Sequence, residues 1–142
     1  MQFDLNRFVT AQNGVYDAAV AELRSGRKRT HWMWFVFPQI EGLAMSATSK
    51  HYAIRSLAEA RAYLYHPTLG SRLIECCETL LALEGRTAAQ IFGYPDDLKL
   101  RSSMTLFSIA DPTRTVFQSV LDKYFDSTPD ERTVQILNNQ GV

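Results

Sequence analysis

Cysteine is scarce in this chain: it has two, Cys76 and Cys77, side by side. Neighbouring side chains on a helix point in different directions, so a disulfide between them is geometrically poor and the pair fits a reducing cytoplasm. Long apolar runs are also missing. The longest, Trp32 to Phe37, is far too short to span a bilayer, and Met1-Gln2-Phe3-Asp4-Leu5-Asn6-Arg7 has no basic stretch leading into an apolar core. Neither export nor membrane insertion is expected, and a cytoplasmic location follows.

Charge of one sign is not in excess, since Lys and Arg number 15 and Asp and Glu also 15. No global field draws in a nucleic-acid backbone or an anionic membrane, so nucleic acid is not an expected partner and any such contact must be local. The histidines His31, His51 and His66 are dispersed, and neither a Cys-x-x-Cys pair nor a His-Glu-x-x-His helix occurs, so no metal is expected. The chain also lacks a Gly-x-Ser-x-Gly elbow, a Walker loop and a Gly-x-Gly-x-x-Gly turn, and no cofactor is implied. Ser25-Gly26-Arg27-Lys28 spells Ser-x-x-Lys, but it straddles a helix end and the companion motifs of that chemistry are absent.

What is present is the composition of one globular domain: 142 residues, 46% hydrophobic and 21% charged. Its periodicity is helical throughout. Leu5, Phe8 and Val9 share a face of a first helix from about Asp4 to Gln12, stopped by Asn13-Gly14, and Tyr16, Ala19, Val20 and Leu23 mark a second that ends at Gly26. Leu69, Leu73, Cys76, Leu80 and Leu83 form one stripe ending at Gly85, and Val116, Phe117, Val120, Leu121 and Tyr124 form another after Asp111-Pro112. Capping boxes are expected at Ser56-Leu57-Ala58-Glu59, Thr87-Ala88-Ala89-Gln90 and Thr128-Pro129-Asp130-Glu131. A helix from about Pro95 to Ile109 has an apolar side (Leu100, Met104, Phe107) and a polar side (Asp97, Arg101, Thr105, Ser108).

Thr30 to Pro38 reads locally as a buried strand, because it is aromatic and bounded by proline. A lone strand leaves its backbone without partners, and no other segment alternates, so a short buried helix stopped before Pro38 is the better expectation. Residues 39–49 read as loop. The whole is an all-α domain spanning residues 1–142, compatible with a stack of helical hairpins. Trp32, Phe35, Leu73, Leu80, Phe107, Phe117 and Leu121 are the expected core.

Two stretches are more specific than this periodicity: His31-Trp32-Met33-Trp34-Phe35-Val36-Phe37-Pro38-Gln39, and Asp96-Asp97-Leu98-Lys99-Leu100-Arg101-Ser102-Ser103-Met104-Thr105-Leu106-Phe107. They closely resemble the signature stretches of a bacterial domain-of-unknown-function family, number eighteen-ten. The likeness runs from Phe3-Asp4-Leu5 through Glu59-Ala60-Arg61-Ala62-Tyr63-Leu64 and His66-Pro67 to about Leu137. It implies an all-helical fold and brings no established activity. The label calpastatin, attached to some members, gives no mechanism, and nothing in these residues suggests a calpain inhibitor. One departure is Ala44, where the family pattern leads one to expect a second glycine after Gly42-Leu43.

Polar residues dense beside an aromatic core suggest a site. His31, Gln39, Lys99, Arg101 and Ser103 are the candidate ligand-binding residues, which together would offer an imidazole, an amide, two cations and a hydroxyl to an anionic or nucleotide-like small molecule. In a catalytic version His31 is the acid or base and Asp97 the orienting or basic carboxylate, with Lys99 and Arg101 facing the anion. Each residue also has an ordinary reading. His31 can be a satisfied structural histidine, Asp97 and Arg101 an i, i+4 ion pair, and Arg27-Lys28-Arg29 a solvated run before a buried aromatic segment. Buried, inert thiols are expected at Cys76 and Cys77. The competing functional class is a protein-interaction module, in which packed helix pairs present a groove to a protein partner.

Overall fold

The computed structural model of the protein describes residues 3–141. Among them are ten helices: α1 (Asn6–Gln12), α2 (Tyr16–Arg24), α3 (Met33–Val36), α4 (Ala47–His51), α5 (Leu57–Tyr65), α6 (Leu69–Ala82), α7 (Ala88–Phe92), α8 (Asp96–Ala110), α9 (Val116–Phe125) and α10 (Glu131–Asn139). The extended pairing in the described residues is a single isolated parallel bridge between Ile40 and Ile54. No helix of the described residues is long and apolar enough to cross a membrane.

The helix ends follow their caps. Thr87 and Gln90 close a reciprocal capping box at α7. At α5, Ser56 Oγ accepts from Glu59 N at 3.1 Å, but the Glu59 carboxylate bypasses the cap and takes the Arg55 amide at 2.8 Å and the Arg7 guanidinium at 3.0 Å. A stronger charge-assisted partner from α1 therefore leaves that box half closed. The start of α10 also differs from expectation. Its cap is Asp130, whose carboxylate accepts from Thr133 N and Thr133 Oγ1, and Thr128 stays outside the helix. Either residue can cap, and tertiary contacts select Asp130 because the Thr128 and Pro129 carbonyls are engaged by Arg101. Residues 39–49 are not all loop, since Ser46 caps the short α4 through Ser49 N.

The aromatic segment forms a helix, as its unpaired backbone demands, with a single turn ending before Pro38. Ala44 is not among the positive-φ residues of the described chain, so no glycine is required there; Gly42, at φ +104°, carries the turn.

Four helices make the centre. α5 packs on α6 and α8, and α9 packs on the same two, closing a ring of contacts. Inside it Tyr63, Phe107 and Phe117 stack in succession, with centroids 5.4 and 5.7 Å apart. All seven expected core residues are buried. The α5–α6 contact depends on Gly70, where a Cβ would lie 2.0 Å from the Leu64 carbonyl oxygen. Around the ring, α2 lies on α6, α7 and α10 on α8, and α1 on α3.

Candidate functional site

The site is assembled from the loop that leaves α2. Gly26 takes a left-handed φ of +79°, turning the chain out of the helix, and the following loop is then gripped by one carboxylate. Glu22 accepts from the amides of Arg29 (2.7 Å) and Thr30 (3.0 Å), the Thr30 hydroxyl (2.7 Å) and the Trp32 indole N–H (3.0 Å). Burial by itself would raise this carboxyl, but these donors outweigh it and hold the group at about 2, below its ordinary 4.5. The Lys28 amide donates to the Ile91 carbonyl at 2.7 Å, fixing the loop to α7 as well.

Two lysines, each beside a tryptophan, then meet at one aspartate. Lys28 Nζ lies 2.9 Å from one oxygen of Asp96 and Lys99 Nζ 3.3 Å from the other. Lys28 Nζ also stands 5.2 Å from the Trp32 ring centre, and Lys99 Nζ 5.1 Å from that of Trp34. The Lys28 side chain is only 7% exposed and that of Lys99 21%, so both charges sit in surroundings that screen them poorly. Asp96 neutralises one of the two.

The candidate site residues on α8 divide between two sides of the helix. Residues 99 and 101 are two apart, which on an α-helix is a rotation of about 200°. Lys99 faces Trp34, whereas Arg101 donates from Nε to the Thr128 carbonyl (3.1 Å) and from Nη2 to that of Pro129 (2.9 Å). On Arg101's side Thr105 Oγ1 donates to the Arg101 carbonyl and accepts the Asp130 amide at 2.9 Å. That side is a brace for the start of α10, and the i, i+4 pair of Asp97 with Arg101 is not formed among the described residues. Asp97 instead accepts the neighbouring Leu98 amide at 2.9 Å.

Ser103 belongs to the other side. It lies one turn beyond Lys99 and two beyond Asp96, on the same strip of the helix. It is fully buried, and among the described residues its Oγ is the buried side-chain polar atom with no hydrogen-bond partner. Its neighbour Ser102 returns its hydroxyl to the Leu98 carbonyl at 3.1 Å.

Gln39 shares a cleft with Trp34. Its carbonyl accepts the Ile54 amide at 2.8 Å, and it lines a narrow cleft with Trp34, Gly42, Leu43, Lys50 and Tyr52. The free space there, about 20 Å³, suits a water molecule and is too small for a ring. Trp34 lines this cleft and also meets Lys99. His31 is exposed on the turn before Trp32 and forms no side-chain hydrogen bond among the described residues.

Asp96, Trp34 and Lys28 complete the arrangement without being singled out as site residues by the sequence. The signal was available for Lys28, which stands in the basic run entering the aromatic segment. Its pairing with Asp96 spans 68 positions and has no local signature. Elsewhere, Arg7 spends its guanidinium on Glu59 and on the carbonyls of Asp4, His51 and Ala53, and so serves as a tie between α1 and α5. Cys76 and Cys77 are buried free thiols; burial pushes Cys76 up to about 12 and Cys77 well above the ordinary range.

An all-helical domain in which Lys99 of the second motif stretch stands beside Trp34 of the first is the class this architecture defines. Residues 2–137 match the family model described as Protein of unknown function (DUF1810), and the chain belongs to that family. It is similar to the conserved hypothetical protein Rv1873 from Mycobacterium tuberculosis, known from a crystal structure. The identity is 54%, over 96% of this chain and 97% of that one, with a TM-score of 0.94. A comparison with curated proteins gives no match.

Proposed function

We propose that the protein is a binding domain for a small anionic, nucleotide-like molecule, taken up where the first turns of α8 face Trp34. The observation that carries this reading is the sharing of Asp96 by Lys28 and Lys99. Two poorly exposed ammonium groups have one carboxylate between them among the described residues, so one positive charge is left over, and each ammonium brings three N–H donors to that single carboxylate. An anion would satisfy both deficits. Lys99, beside the Trp34 indole, is the ligand-facing group in this reading; the cleft at Gln39 admits a water and no ring, so Gln39 is not a ring contact, and His31 is an exposed residue of the same segment. Ser103 is the inner hydroxyl of the strip, and Arg101 supports the fold around it. A catalytic role for His31 with Asp97 draws no support from hydrogen bonding, since neither side chain engages the other.

The test is a thermal-shift and calorimetric titration with adenosine monophosphate and with inorganic phosphate. A ligand at a hundred times its Kd stabilises the folded state by about 2.7 kcal/mol, a shift in Tm easily resolved. Lys99→Ala is expected to abolish that shift and Ser103→Ala to reduce it. Ser103→Ala should leave the unliganded protein as stable as before or more so, because the hydroxyl it removes is unpaired. Equal shifts in the original protein and in Lys99→Ala would defeat the reading.

A further inference from the structure

A second surface lies on the outer side of the same loop, and its chemistry is independent of the ligand reading above. Lys28 turns inward to Asp96, while Arg27 and Arg29 on either side of it are exposed. Arg86 joins them: it precedes α7, and a methyl group placed on Gly26 would come within 3.1 Å of its Nε. Among the described residues none of these three guanidinium groups has a side-chain hydrogen bond or an ion pair. Residues 91–96 are tied to the same loop at both ends: the Ile91 carbonyl holds the Lys28 amide, and Asp96 holds its ammonium. Tyr94 stands between these points and is 82% exposed, with Leu98 exposed beyond it at 43%.

This juxtaposition has two features that a merely solvated charge run lacks. The loop carrying the arginines is rigidly held, with Glu22 taking four donors from it and Ile91 a fifth, so presenting the guanidinium groups costs little ordering on binding. The arginine-bearing loop is also tied at Ile91 and Asp96 to the segment that carries the exposed Tyr94, and Arg and Tyr are the residue types that anchor protein interfaces. We infer that Arg27, Arg29, Arg86 and Tyr94 form a docking surface for an acidic, partly apolar peptide segment of a protein partner. Its carboxylates are received by the guanidinium forks and its apolar residue covers Tyr94 and Leu98. Charge complementarity selects an anion. The formal neutrality of the whole chain supplies no extended field for a polyphosphate backbone, which favours a short acidic segment over a nucleic acid.

The experiment measures fluorescence anisotropy of a labelled Glu-rich peptide containing one phenylalanine, titrated with the full chain at low salt. A Gln-for-Glu version of the peptide and a single-stranded oligonucleotide of equal charge serve as comparisons. The expected result is saturable binding of the acidic peptide alone. It should weaken at least about tenfold in Arg27→Glu/Arg29→Glu and in Tyr94→Ala, and Lys99→Ala should leave it unchanged. Arg27→Gln/Arg29→Gln, milder in charge, provides the same readout if the reversal disturbs folding. Failure of the original protein to bind the acidic peptide would overturn the proposal. Undiminished binding by the arginine variants would do the same, as would equal or tighter binding of the oligonucleotide.

Discussion

Lys99 and Arg101, separated by one residue, leave α8 on opposite sides: Lys99 extends over the Trp34 indole, and Arg101 reaches the carbonyls of Thr128 and Pro129. Lys99 is thereby held with Asp96 beside Trp34, and Arg101 is committed to holding the chain before α10.

That division predicts separable effects. Arg101→Ala removes two charge-assisted bonds at a partly exposed position and is expected to lower stability by about 1 kcal/mol, with hydrogen exchange accelerated first in α10. Ligand affinity measured by calorimetry should be retained. Loss of affinity in Arg101→Ala with unchanged protection of α10 would put Arg101 back among the ligand groups.

The Glu22 carboxylate predicts an acid-sensitive loop. Its folded value, about 2, lies below the ordinary 4.5 of a free glutamate. The stability it contributes is therefore fully present above about pH 5 and is lost as pH falls through 4.5 towards 2. Chemical denaturation followed from pH 7 to pH 2 should show the original protein losing more stability than Glu22→Gln over that interval. At pH 7 the Gln variant should be weaker by about 1–3 kcal/mol, because its amide turns a donor towards donors. Parallel pH profiles for the two proteins would show that the four-donor arrangement does not persist in solution.

Gly70 predicts a steric cost at the α5–α6 contact. A Cβ there meets the Leu64 carbonyl oxygen and carbon, at 2.0 and 2.9 Å, and both belong to backbone that cannot rotate aside. Gly70→Ala should destabilise by at least about 1–3 kcal/mol, the usual cost of overpacking, despite alanine's better helix propensity. The urea midpoint measures it; an unchanged midpoint would mean that the two helices separate freely.

Much of the fold was legible because helical order is local. The stripes through Leu73 and Leu80 and through Phe117 and Leu121 repeat at the spacing of one helix face, and each of these residues is buried. The Thr87–Gln90 box closed as expected because both partners belong to the same turn. At Asp130 and Glu59 local signals lost to distant partners, Arg101 in the first case and Arg7 in the second.

The sequence by itself determined a helical chain of this family and an aromatic segment that enters the core as a turn of helix. It also placed polar residues in two motif stretches. Only the tertiary structure decided which of those residues meet. It joined Lys28 to Asp96, set Lys99 beside Trp34, and turned Arg101 away to the start of α10. The physical reason is range: a capping bond or an apolar stripe is fixed within a few residues of its origin. An ion pair spanning 68 positions is set by how whole helices pack, and adjacent residues carry no trace of it.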